Sequence, residues 1–440
     1  MNPRLALASS VVGAVIVALD GTVLTIAQPT LQSDLGASYA QVQWTSTGYL
    51  IAVAGLLVFA GRLGDRYGHR RLYAIGMLGF GAASAGIGLA PGIGWVVGLR
   101  AVQGVFGALL QPATLGMLRA AYPPDRLRTP IAVRTAAIGV SAAVGPLVGG
   151  VLVAGPGWRA VFFLNVVPVL VFGLLALAGR EPVRAAPVRL DVPGALLLAV
   201  TLGFLVHALV SLQWVGLAAS LVTGVAFLRH ERRTASPLLP RAVAGPALGV
   251  LVAASAALSG TLFVSTYTLQ YTLGLDPLES ALRCLPLAVL MVAAAPVCAI
   301  LLRRVGARHT AVTAMGVLAA GVLMLDTATG TFALCAGFAL LGAGFGTVMV
   351  AATHVVVRHS PVESAGVAGG LQQTAMNVGP TLGVAVATTL MGHGALVVLA
   401  GVAVVGAVAS GVLPGWSAPA TPADHGRAQA VHGLLSDDEV

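Results

Sequence analysis

The eleven residues Gly61-Arg62-Leu63-Gly64-Asp65-Arg66-Tyr67-Gly68-His69-Arg70-Arg71 carry five formal charges in a chain of 440 residues that is 57% hydrophobic and 9% charged. On both sides the sequence is apolar for about the length a helix needs to cross ~30 Å of hydrocarbon. The mean hydropathy of +0.93, with 56 glycines and 24 prolines, excludes an ordinary soluble globular chain. No segment alternates with period two, so the spans are helices rather than barrel strands. The charged stretch is therefore a short connection between two membrane helices.

Working outward from it, apolar runs predict fourteen spans. They lie at 5–27, 43–61, 72–90, 94–116, 131–153, 160–179, 192–210, 213–228, 243–267, 281–302, 309–326, 331–354, 364–390 and 394–413. The first run is too long for a secretory signal and lacks a small-residue cleavage pattern after it, so it counts as a span. All 24 basic residues are arginines, and the connections alternate in how many they hold. One side receives Arg4, Arg62, Arg66, Arg70, Arg71, Arg119, Arg126, Arg128, Arg180, Arg184, Arg189, Arg229, Arg232, Arg233, Arg241, Arg303, Arg304, Arg308, Arg358 and Arg427; the other holds only Arg159 and Arg283. The rich side is cytoplasmic by the positive-inside rule, and both termini fall on it. This distribution assigns the pI near 10.3 to orientation in a membrane and not to nucleic acid. Cys284, Cys298 and Cys335 sit in apolar runs with neither CxxC nor His spacing, so no disulfide framework and no metal site is expected. The tail 415–440 reads as a disordered cytosolic end.

The opening stretch has an echo. Arg66-Tyr67-Gly68-His69-Arg70 corresponds to Arg304-Val305-Gly306-Ala307-Arg308, Phe106-Gly107 to Phe345-Gly346, and Gly145-Pro146-Leu147-Val148-Gly149 to Gly379-Pro380-Thr381-Leu382-Gly383, all near one offset. Three echoes in one order divide the chain into a six-helix bundle at 1–180, two additional helices with their linkers at 181–241, and a second six-helix bundle at 242–414. Parallel repeats of this kind belong to carriers that rock about a central site.

These motifs also carry a resemblance. Gly61 to Arg71 is similar to the signature loop of the major facilitator superfamily. Arg100-Ala101-Val102-Gln103-Gly104 resembles its RxxQG motif, and Gly145-Pro146-Leu147-Val148-Gly149-Gly150 its GPxxGG antiporter motif. Trp158 to Pro168, Leu273 to Pro286, and Leu19-Asp20-Gly21-Thr22-Val23 resemble the fourteen-helix drug:proton antiporter branch. Thr25, Gln28 and Arg134 depart from that branch, and Ala339 falls opposite Arg100 in the second half. The resemblance implies an all-α membrane fold of two pseudo-symmetric six-helix bundles plus two central helices. It also implies proton-driven export of a small molecule from a bacterial cytoplasm.

Site expectations follow. A carboxylate at membrane depth costs about 2.5 to 3.5 kcal/mol on insertion scales, which makes Asp20 a functional candidate by default. With the first span ending near residue 27, Asp20 lies roughly 10 Å below the outer edge and Arg100 roughly 9 Å. The pair is the expected proton-coupling centre: desolvation favours neutral Asp20 and the arginine favours its charged form. Asp65 is expected to cap the next helix or pair with an arginine, which makes Gly61, Asp65, Arg66, Gly68 and Arg70 a gating loop. Gly145, Pro146, Gly149 and Gly150 let the fifth span pack closely and kink, as their echo does for the thirteenth; resemblance makes this an antiporter seal. Gln103, Asn165, Phe263, Tyr267, Gln270, Gln373 and Asn377 are candidates to line the substrate cavity. Arg134 is expected to snorkel to the cytosolic surface. No cofactor is expected, and the partners are a small-molecule substrate, protons and lipid, with the chain monomeric. A metabolite importer on the same fold is the alternative. An intramembrane enzyme would need a clustered nucleophile and base, and a receptor a folded soluble domain. Neither pattern occurs, and there is no P-loop for ATP.

Overall fold

The computed structural model describes residues 2–123, 126–178, 191–211, 213–234, 245–358, 365–391 and 393–413. Among them the chain is helical throughout. The first bundle holds α1 (Pro3–Leu35), α2 (Tyr39–Tyr67), α3 (His69–Gly88), α4 (Ile93–Ala121), α5 (Arg128–Ala154), α6 (Trp158–Phe163) and α7 (Val166–Ala178). Two further helices, α8 (Val192–Ser211) and α9 (Trp214–Arg233), form a hairpin. The second bundle holds α10 (Gly245–Tyr267) with a π turn at Thr268–Thr272, then α11 (Pro277–Arg304), α12 (Gly306–Thr327), α13 (Thr331–Arg358), α14 (Ala365–Thr389) and α15 (Ala395–Ser410). Among the described residues eight helical segments are long and apolar enough to cross a bilayer, and α2 qualifies as two arms meeting at 53°. The expected tail and the linkers at 181–190 and 235–241 lie outside the described residues.

The repeat is visible in the contacts. In the first bundle α2 packs on α4, α3 on α4 and α1 on α5; in the second α11 packs on α13, α12 on α13 and α10 on α14. The α2–α3 and α11–α12 turns are each closed by one glycine at positive φ, Gly68 at 96° and Gly306 at 81°, a conformation L side chains rarely adopt. The glycine motifs also repeat their role. A Cβ on Gly145 would overlap Thr22 Oγ1 and lie 2.8 Å from Thr22 Cβ on α1, and one on Gly383 would overlap the Ala256 carbonyl of α10. Each motif thus seats its helix against the first helix of its own bundle. Gly150 faces the other bundle, where its Cβ would come 2.9 Å from Leu278 Cα of α11.

Three elements differ from the expectation. Helix α1 continues to Leu35, eight residues past its apolar run, and Gly36 caps it in the left-handed region at φ 59°. Hydropathy ends where lipid ends; the helix does not. The sixth span breaks into α6 and α7 at Leu164–Asn165. Pro168 has no N–H to offer the Leu164 carbonyl, and it sits in the first turn of α7, where that loss is tolerated. The end of α10 winds into the π turn before Gly274, at φ 65°.

The two bundles meet near one end. Gln270 Nε2 donates to the Ile26 carbonyl (3.1 Å), Tyr271 Oη to the Pro29 carbonyl (2.8 Å), and the Tyr39 and Tyr267 rings lie edge to face at 5.0 Å. Ile51 and Ala54 of α2 cluster with Ala385 of α14 and Leu202 of α8, so α8 lies across the seam between bundles. Gly55 lets α8 approach, since a Cβ there would come 2.6 Å from Ala199 Cβ.

Candidate functional site

Asp20 lies mid-way along α1 with its side chain fully buried, and the Arg100 side chain from α4 is 1% exposed. Arg100 Nη1 donates to Asp20 Oδ2 at 2.5 Å. The other carboxylate oxygen, Oδ1, accepts from Gln103 Nε2 and from Asn165 Nδ2, each at 3.2 Å. Three donors therefore surround one carboxylate, an arrangement that compensates a charge removed from water. Arg100 is held independently. Its Nε donates to the Thr45 carbonyl (2.8 Å), its Nη1 also to Gln103 Oε1 (2.5 Å), and its Cζ lies 4.4 Å from the centre of the Tyr49 ring. Gln103 Nε2 further donates to Ser84 Oγ at 2.6 Å.

The local sequence explains this convergence. Arg100 and Gln103, three residues apart, share one helical face. A Cβ on Gly104 would come 2.5 Å from the Tyr49 carbonyl, so glycine there brings α4 against α2 and places Thr45 and Tyr49 beside the guanidinium. Asn165 reaches Asp20 from the break between α6 and α7.

The structure distributes the other expected residues as follows. Gln103 and Asn165 are buried on the Asp20 carboxylate and do not face an open cavity. Phe263 and Tyr267 are buried too, in a cluster with Tyr39 and Tyr271 at the closed end, and Gln270 bonds to α1 there. Asn377 is buried and donates to the Gln373 carbonyl of its own helix, while Gln373 is exposed. These residues separate into a charge centre and an end closure. The closure is not legible in the sequence, because Phe263, Tyr267 and Gln270 suit a cavity wall as well as a contact with α1. Thr45 and Ser84 were not anticipated either, being single small polar residues in apolar runs.

In the signature loop, Asp65 neither caps α3 nor pairs with an arginine among the described residues. Helix α2 runs on to Tyr67, which leaves Asp65 in its last turn and, across the one-residue turn at Gly68, four residues before His69. His69 Nε2 lies 3.1 Å from Asp65 Oδ1, and the N-terminus of α3 has no side-chain cap. Gly64 and Gly116 make room for the imidazole, since a Cβ at either would overlap it. Arg66 lies over the Tyr67 ring at 5.2 Å. Arg70 is buried and donates from Nη2 to the Ala176 carbonyl in the last turn of α7 at 2.5 Å, a favourable place for a cation. Helix α7 thus joins Asn165 at the charge centre to Arg70 in the loop. Among the described residues no group of three His, Cys, Asp or Glu side chains is arranged to hold a metal ion.

Two related helical bundles, with one buried ion pair inside the first, define a polytopic membrane protein of the carrier type. The sequence profile of the Major Facilitator Superfamily matches residues 11–241 and 247–436, and the chain belongs to that superfamily. It is 42% identical over 402 residues to the tetracenomycin C resistance and export protein of Streptomyces glaucescens, covering 86% of this chain and 74% of that one. A probable actinorhodin transporter of Streptomyces coelicolor is 35% identical over 405 residues (84% and 69%). The puromycin resistance protein of Streptomyces alboniger is 36% identical over 398 residues (85% and 79%). The crystal structure of the nucleoside transporter NupG superposes with a TM-score of 0.64 at 13% identity over 92% of this chain and 98% of that one, a likeness of fold alone.

Proposed function

We propose that the protein is a proton-coupled antiporter. It exports a hydrophobic or amphipathic small molecule, a drug or a self-made antibiotic, across the bacterial cytoplasmic membrane by alternating access. The observation that carries this reading is the buried Asp20 carboxylate with its three donors inside a superfamily carrier; the export and resistance roles named for relatives support the direction and the cargo.

The centre is suited to proton exchange because Arg100 has partners beyond Asp20. When Asp20 takes a proton, the Thr45 carbonyl, Gln103 Oε1 and the Tyr49 face continue to hold the guanidinium. The guanidinium therefore keeps hydrogen-bond partners when the proton arrives, while it loses its counter-charge, and that loss is what can drive the change of state. Asn165, at the break in the sixth span, transmits the change to α7, whose far end holds Arg70 of the signature loop. The closed end, with Tyr39, Tyr267, Gln270 and Tyr271, is the outer side in this reading, and both termini are cytoplasmic.

The chain then belongs to the fourteen-helix branch. The nine apolar segments are joined by the shorter apolar α8 and α15 and by α3, α9 and α14, with α6 and α7 as one broken span. The bundles occupy 1–180 and 242–414, the hairpin lies between them, and the protein acts as a monomer. Expression in a bacterial strain lacking its own exporters tests the function. Tolerance to compounds such as tetracenomycin C or puromycin should rise and should disappear when a protonophore collapses the gradient. Tolerance that survives the protonophore would exclude proton coupling.

A further inference from the structure

Arg134 lies six residues into α5. It does not snorkel outward: Nε and Nη2 both donate to Thr114 Oγ1 of α4, at 3.2 and 3.0 Å. Thr114 is fully buried, and its methyl would lie 3.0 Å from a Cβ on Gly13 of α1. The guanidinium therefore points into the space bounded by α1, α4 and α5. Along α5 it shares a face with Ser141 and Gly145, the face that meets α1. Gly150, where α5 touches the second bundle, is sixteen residues further on, or roughly 24 Å at 1.5 Å per residue. Arg134 is consequently far from the end where the π turn and α1 meet.

Its electrostatic situation is unlike that of Arg100. Among the described residues no carboxylate lies within ion-pair distance of Arg134, and its hydrogen-bond acceptor is one neutral hydroxyl. A guanidinium has five N–H donors. A partly buried cation with a neutral acceptor is under-compensated. Asp20 is sequestered by Arg100, and the other described carboxylates, Asp34, Asp65, Asp191, Glu231, Asp276, Glu279 and Asp326, all stand within one turn of a helix end. The helix interiors of the first bundle thus hold, among the described residues, a cation with no carboxylate partner and no carboxylate left to pair with it.

We propose that Arg134 is an anion-binding element of the substrate path, which selects amphipathic molecules bearing a carboxylate or an ionised phenol. Planar two-point donation to such a group is what a guanidinium does better than an ammonium. The inference rests on the exporter reading for its biological sense, but binding requires no gradient, and so the two fail separately.

The test uses the purified full chain in lipid nanodiscs with two fluorescent probes, 9-anthracenecarboxylate and its neutral methyl ester, which share one ring system. Wild-type protein should bind the acid about tenfold more tightly than the ester, the scale of one charge-assisted contact. Arg134→Gln should abolish that preference with ester binding unchanged, and Arg134→Lys should retain part of it. Asp20→Asn should keep the full preference while losing coupled transport. A wild-type protein that binds the acid no more tightly than the ester overturns the proposal, as does an Arg134→Gln variant that keeps the preference. Wild-type protein that shows the acid preference but no proton-driven export would sink the exporter reading and leave the anion site standing.

Discussion

Asp20 and Arg100 are coupled strongly enough for a double-mutant cycle to read their interaction. Arg100→Met leaves Asp20 buried and uncompensated by any other cation within ion-pair distance among the described residues. Removing one partner of a buried pair costs about 3–5 kcal/mol, and Asp20→Leu should cost a similar amount by stranding the guanidinium. With both replaced, the charges disappear together. What remains is the Asn165 amide without its acceptor and Gln103 Oε1 without its donor, while Gln103 Nε2 keeps Ser84, so the double variant should lose only about 1–3 kcal/mol. Additivity would demand about 6–10 kcal/mol, and the difference leaves a coupling of at least about 3 kcal/mol. Equilibrium unfolding of the four proteins in one detergent, followed by tryptophan fluorescence, measures it. A double variant destabilised by the full sum of the single effects would refute the account of a mutually compensating pair.

Four further outcomes are expected. Gly145→Ala should destabilise by about 1–3 kcal/mol through overlap with Thr22, whereas Gly139→Ala, with nothing within 4 Å of the added methyl, should be neutral or gain about 0.5–1 kcal/mol in thermal unfolding. Asp65→Asn should cut export severely at unchanged membrane abundance and substrate binding; normal export would reduce the loop to a topology signal. Tyr271→Phe combined with Gln270→Leu removes both hydrogen bonds from the π turn to α1, and a cysteine at Thr25 should then react several-fold faster with a reagent added from outside. Single cysteines at Gln213 and Thr329 should label from outside and one at Thr234 should not; the reverse pattern would invert the topology.

Much of the architecture was legible because it depends on spacing. The echo of Gly68 in Gly306 and of Gly145 in Gly379 foretold matching turns and matching helix contacts, since a tight turn and a close backbone approach both need glycine. The Asp20–Arg100 pair was legible from charge at depth, although the depth argument used a first span ending at residue 27. Helix α1 continues to Leu35, so its end does not mark the depth of Asp20, and it is the contact with Arg100 that places the two side by side. Less was readable where side chains choose among partners. Gln103 and Asn165 are polar residues in apolar spans, and such residues suit a cavity as well as a carboxylate; only their placement on Asp20 decides. The sixth span reads as one unbroken run at 160–179 despite Pro168, and the break that brings Asn165 beside Asp20 depends on how α6 docks. Arg134 looked like a residue near enough to the surface to snorkel, and Thr114 on another helix turns it inward.

The most direct test of the central claim is substrate-driven proton movement in proteoliposomes containing either wild-type protein or Asp20→Asn. Wild-type protein should release protons on substrate addition and should accumulate substrate uphill when a pH gradient is imposed. Asp20→Asn should insert and bind substrate normally while showing neither proton release nor gradient-driven accumulation. Uphill accumulation by Asp20→Asn under a pH gradient would contradict the account and leave Asp20 and Arg100 as a static pair joining α1 to α4.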